Sequence, residues 1–193
     1  MRRAGGARAG EDADSAGHVA RRATRRRLQR RAARVLGGGV VTDVRELLRR
    51  DVETREYDAI RELWKQHSIA EDERDLAGLI STLTEDCVYE LAQTGHRWEG
   101  HDGAARFYTE LLTAFPDVKF ELTDIVIGPQ GVWEEADVSA THRAAWLGVP
   151  PSGERLLWKV AIFFPWDRER RKFQGERVYT AGLPIAELRA AVT

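Results

Sequence analysis

The sequence predicts an α+β fold in which helices come first and a strongly curved antiparallel sheet follows. Three observations carry that expectation. Apolar residues recur every three or four positions up to Phe115. From Val118 onward they alternate every second position, in segments of about ten residues. The links between those segments are short and rich in turn-forming residues, which suits antiparallel neighbours rather than alternating β-α-β units.

The elements follow in order. Residues 1–41 are rich in Arg, Gly and Ala and nearly free of large apolar side chains, so they lack the burial needed to offset the entropy of ordering and are expected to be disordered. A short helix over Arg21–Leu36 is one alternative. Another is that Gly37-Gly38-Gly39 ahead of Val40-Val41 is a translated ribosome-binding site, which would make residues 1–41 a gene-start error. Residues 42–193 are then the folded domain. Tyr57, Ile60, Trp64 and His67 line one stripe of a long first helix. Leu76, Leu79, Ile80 and Leu83 form a second, short stripe, with Asp72 or Asp75 suited to capping its start. Cys87–Leu91 reads as a strand. A third helix is expected from an Asp102 N-cap, carrying Phe107, Leu111, Leu112 and Phe115 until Pro116 stops it. Strands are expected at Val118–Ile127, Val132–Trp146, Leu156–Trp166 and Lys172–Ala181. Helices laid on a bent sheet of long strands make a cone whose interior either packs solid or holds a small ligand.

Charge and composition narrow the function. Eleven Arg against Glu11, Asp12 and Asp14 give the first 34 residues a charge of +8, and the remainder carries −9. An acidic body without a basic stripe repels phosphates, so no nucleic-acid partner is expected. The longest apolar run, Val160–Phe164, is far too short to span a bilayer, and no apolar stretch follows Arg2-Arg3 as an export signal would require. The lone Cys87 offers no internal disulfide and no paired metal or redox site, as expected in the cytoplasm. His96, Glu99, His101 and Asp102 match no strong ligand spacing, so no metal is predicted. Nucleophile-elbow, Walker and dinucleotide-binding signatures are lacking.

AFPDVKFELTDIVI from Ala114, ATHRAAWLGVPPSGE from Ala140 and ERVYTA from Glu176 resemble the SnoaL-like polyketide cyclase branch of the NTF2-like superfamily, in order and spacing over Asp58–Leu188. The resemblance implies an NTF2-like cone with three N-terminal helices on the curved sheet, a hydrophobic pocket and a homodimer. It also implies cyclisation chemistry that needs no cofactor. One departure stands out: where that pattern places an aspartate after the aromatic of the last strand, this chain has Thr180 and Ala181. Ile69–Glu90 bears a looser similarity to the scytalone dehydratase-like branch, whose proton-transfer aspartate and histidine fall at Asp72 and His142.

His142 shares one strand face with Val132, Glu134, Ala136, Val138 and Ala140, which puts it in the cone if that face points inward; otherwise it is a satisfied histidine at the rim. A group titrating near neutrality suits general acid–base work. His142 and Asp72 are therefore the catalytic candidates, with Glu71 a weaker one. Trp64 and His67 on the first helix, Tyr89 on the first strand and Trp146 are candidates for binding substrate. So are Arg177 and Tyr179, which share a face with Ala181. The expected ligand is a small hydrophobic molecule. The function reading is a pocket enzyme of the cyclase, isomerase or dehydratase kind acting on a hydrophobic carbonyl compound. The alternative, motivated by Ala181, is a non-catalytic small-molecule-binding or dimerisation module.

Overall fold

The computed structural model describes residues 44–183; the readings for residues 1–41 lie outside them. The chain divides into two units, the first ending at Arg49. Its described part is one short helix, α1 (Val44–Leu47). The second unit, from Arg50, holds α2 (Thr54–Asp72), α3 (Leu76–Ser81), β1 (Leu83–Leu91), β2 (His96–Glu99) and α4 (Gly100–Ala114). Four long strands follow, β3 (Lys119–Gly128), β4 (Gly131–Thr141), β5 (Arg155–Asp167) and β6 (Lys172–Ala181). All six strands form one curved, unclosed sheet in the order β2-β1-β6-β5-β4-β3.

The α2 stripe is Ile60, His67 and Ala70 with Leu63 and Trp64 beside it. Tyr57, expected in that stripe, is exposed and lies under the Arg61 guanidinium at 5.8 Å. Asp75, not Asp72, caps α3 by accepting from Gly78 N at 3.0 Å. The third helix starts at Gly100 with Glu99, not Asp102, in the N-cap position, and Asp102 sits in its first turn. A carboxylate there meets the positive end of the helix dipole without capping the end.

The sheet corrects the sequence reading in two places. Four residues, His96–Glu99, pair with β1 as an antiparallel edge strand, too short to show a period in sequence. The sheet is also not wholly antiparallel, because β1 runs parallel to β6. The first strand begins at Leu83 rather than Cys87 because Glu85 and Asp86 are both exposed, breaking the alternation where the β1–β6 register shifts.

Alternation along β4 is otherwise regular, with Val132, Glu134, Ala136, Val138 and Ala140 buried. Trp158, Val160, Ile162 and Phe164 continue that inner face on β5. Full burial of side chains such as Ile60, Leu83 and Phe173 contributes on the order of 1.5–3 kcal/mol each. One tether joins the two most recognisable motifs: Asp117 of Phe-Pro-Asp accepts from both the N–H and the hydroxyl of Thr141, each at 2.7 Å. Those bonds lower its carboxyl pKa, the Thr141 backbone bond most of all, and hold the start of β3 to the end of β4.

Candidate functional site

Between the inner face of the sheet and α2 and α4 lies a cavity. Its walls are aromatic and aliphatic: Phe107 and Leu111 of α4, Phe115, Phe120 of β3, Trp146, and Trp158, Val160 and Ile162 of β5. Among the sixteen residues that line it, the ionisable ones are Glu71, in the last turn of α2, and Glu176 of β6.

Glu176 is 4% exposed and held by a chain of hydrogen bonds. Tyr108 donates to its Oε1 at 2.7 Å, and His67 Nε2 lies 3.0 Å from the same oxygen. His67 Nδ1 meets Thr82 Oγ1 at 2.6 Å, and that hydroxyl donates onward to the Leu79 carbonyl at 2.6 Å. Because the threonine proton is committed to Leu79, Nδ1 must carry hydrogen and donate to Thr82. One further proton is then shared between Nε2 and Glu176, either as imidazolium and carboxylate or as imidazole and carboxylic acid. A buried polar group of this kind is costly unless satisfied, and this chain satisfies it.

Two more carboxyls stand close by. Glu134 of β4 accepts from Trp64 Nε1 at 2.7 Å, and burial pushes its pKa up to about 7, with the Glu176 charge adding to the effect. Glu71 is raised well above the usual carboxylate range, by burial first and then by Glu176, Glu134 and Asp72. Its carboxyl has no hydrogen-bond partner in the described residues, and the residue is half-buried and lines the cavity. Tyr89 is fully buried with its hydroxyl lacking a well-formed hydrogen bond, although Glu176 and Tyr108 are its polar neighbours. Burial raises Tyr89 and Tyr108 well above the ordinary phenol value, so both remain protonated donors.

The sequence candidates are distributed unevenly around this site. Trp146 lines the cavity, while His67 and Trp64 stand behind it as partners of Glu176 and Glu134. Tyr89 packs on Phe107 and Tyr108, with ring centroids 5.1 and 5.5 Å away. His142 faces inward and is 5% exposed, but it lies beyond the lining residues. Its ring stacks on Phe115 at 5.1 Å, Nδ1 accepts from Ser152 N at 3.3 Å, and Nε2 is buried without a partner. Asp72 is exposed at the end of α2; its neighbour Glu71 is the one that reaches the cavity.

Arg177 and Tyr179 are a correction: both point to the outer face of the sheet, where Arg177 lies over Phe163 and Tyr179 packs on Trp133. The cause is Gly175. Its φ of +104° allows a kink at which Gly175 and Glu176 are buried in succession, so the inner set becomes Glu176, Val178 and Thr180. Ala181 is exposed opposite Lys159, so an aspartate there would point away from the cavity. Glu176 and Glu134 were visible in sequence only as members of their strands. The usable signal was the isolated glycine within the β6 pattern, which marks a bulge.

An α+β cone of this topology enclosing an apolar cavity defines an NTF2-like pocket protein. The chain belongs to the SnoaL-like polyketide cyclase family, whose sequence model matches residues 54–171. It is thus an NTF2-like protein of a family that processes small molecules. No curated protein sequence matches it.

Solved structures agree on the fold. A candidate hydroxylase, AclR from Streptomyces galilaeus, shares 22% identity over 68% of this chain and 96% of its own, with a TM-score of 0.55. A candidate polyketide cyclase from Xanthomonas campestris pv. campestris shares 20% over 72% and 99%, at a TM-score of 0.54. A protein of ketosteroid isomerase-like fold from Catenulispora acidiphila shares 13% over 61% and 84%, at 0.51. At these identities the likeness is one of fold. Among the described residues, no helix is long and apolar enough to cross a membrane.

Proposed function

We propose that the protein is a small pocket enzyme of the cyclase, isomerase or dehydratase kind, moving a proton next to a carbonyl of a hydrophobic compound without a cofactor. The observation that carries this reading is Glu176, which lines a largely apolar cavity while hydrogen-bonded to buried His67. A carboxylate so placed takes a proton from the carbon beside the carbonyl and returns it to carbon or to a departing hydroxyl. His67 balances the charge of the ionised form, and Tyr108 and Thr82 fix the geometry. Glu176 and His67 thus take the roles that sequence reasoning gave to His142 and Asp72.

The test begins with thermal melting against polyketide, steroid and phenolic carbonyl compounds; a ligand at a hundred times its Kd adds about 2.7 kcal/mol. On a substrate so found, Glu176→Gln is expected to lower turnover by about a hundred- to ten-thousandfold. His142→Ala is expected to keep it. A folded Glu176→Gln variant with full turnover overturns the assignment.

A homodimer through the sheet belongs to the same proposal. The outer face carries Val126, Trp133, Phe163 and Arg177 in one row across four strands, with Tyr179 beside them. Val126 is 63% and Trp133 37% exposed, leaving an apolar strip for a second copy to cover.

A further inference from the structure

We infer that the ligand of this cavity carries a basic amine, held as an ammonium ion between the aromatic walls and Glu71. This deepens the proposed function by naming a substrate class, and it rests on the cavity being the substrate site. The lining contains two acidic residues and no Lys, Arg or His. That lining offers an anionic headgroup no basic partner and sets it beside Glu71 and Glu176. A ligand that is only hydrophobic would leave the Glu71 carboxyl without a partner in an apolar setting.

A cation answers both features at once. Phe107, Phe115, Phe120, Trp146 and Trp158 offer ring faces and edges around the space, and cations favour such faces when desolvated. Glu71 supplies the counter-charge, in the last turn of α2, where the helix dipole also favours a positive ion. Glu176 is bonded through Oε1 to both His67 and Tyr108, whereas the Glu71 carboxyl has no hydrogen bond among the described residues and is the counter-charge assigned to the cation. The fully buried Tyr89 hydroxyl, lacking a well-formed bond, adds an unsatisfied polar atom to the same cluster.

Proton balance gives the inference a distinctive signature. In the empty cavity burial and the neighbouring carboxyls push Glu71 well above the usual carboxylate range, toward its protonated form. Entry of an ammonium ion favours the carboxylate, so that proton leaves to solvent and binding weakens as pH falls. The charged or titratable groups facing Glu71 are Glu134 of β4, Glu176 of β6, Asp72 of α2 and Arg74 after it. His67 of α2, Tyr108 of α4 and Tyr89 of β1 complete the set through Glu176.

The experiment is calorimetric titration of the full chain with three probes of one shape, naphthylmethylammonium, naphthylmethanol and naphthoate, at about pH 7.5 and about pH 5.5. The expected result is ammonium binding at least about tenfold tighter than the alcohol at the higher pH, and naphthoate weakest. That advantage should shrink at the lower pH, with proton release read from buffers of different ionisation enthalpy. Glu71→Gln should remove the advantage of the ammonium over the alcohol.

Equal or tighter binding of alcohol or naphthoate overturns the amine assignment and leaves the carbonyl-pocket reading standing. An ammonium advantage that survives in Glu71→Gln overturns the role of Glu71. If none of the probes binds while a neutral carbonyl compound shifts the melting temperature, the amine inference fails alone. If nothing binds in either experiment, both fail.

Discussion

Replacing Glu134 by Gln isolates the cost of burying a carboxyl against the inner face of the sheet. In the unfolded chain this group ionises near 4.5, and in the fold near 7, because burial disfavours its charge. Between those values the folded protein holds a proton that the unfolded chain has lost. The stability tied to that proton is fully present below about pH 4.5 and is lost as pH rises through about 7. The size follows from the displacement: from 4.5 to about 7 corresponds to about 3 kcal/mol.

The amide of the Glu134→Gln variant has no proton to lose and retains an oxygen for Trp64 Nε1. Variant and parent should therefore be nearly equal in stability at about pH 4.5, and the variant should be about 3 kcal/mol more stable at about pH 8. For a domain of this size that is a melting difference of roughly 10 °C. Urea unfolding at a series of pH values, with both proteins side by side, measures the divergence. Parallel stability curves from about pH 5 to pH 8 would refute the placement of a buried, protonated Glu134.

Two further outcomes test the geometry around the site. Gly175→Ala should destabilise the domain by at least about 2 kcal/mol in chemical denaturation. A Cβ there would lie 2.1 Å from the Val88 carbonyl oxygen at a φ of +104°, so relief would also displace Glu176 and lower turnover. A stable Gly175→Ala variant with full activity would contradict the bulge. Trp133→Glu places a charge in the outer apolar strip and should convert a dimer to monomer in sedimentation velocity while leaving ligand affinity unchanged. A parent protein that sediments as a monomer would remove the dimer from the proposal.

The helical stripe through Ile60 and His67, the α4 face through Phe107 and the alternation from Val118 to Ala181 were legible because each records a local period facing one apolar interior. They were enough to announce helices over a curved sheet and a pocket between them. The Phe-Pro-Asp and Thr-His segments were legible as a family signature, while their tether through Asp117 and Thr141 emerged only with the strands in register. Three things depended on tertiary structure. β1 runs parallel to β6 across most of the domain's length in sequence, a pairing no local period encodes. One glycine with positive φ reverses which residues of β6 face inward, and it moved the candidates from Arg177 and Tyr179 to Glu176. Finally, Glu71, Glu134 and Glu176 come from α2, β4 and β6, and each looks like an ordinary surface acid until folding removes water from all three together. Periodicity reports which side of an element is apolar. Which charges share that side is a property of how the elements meet.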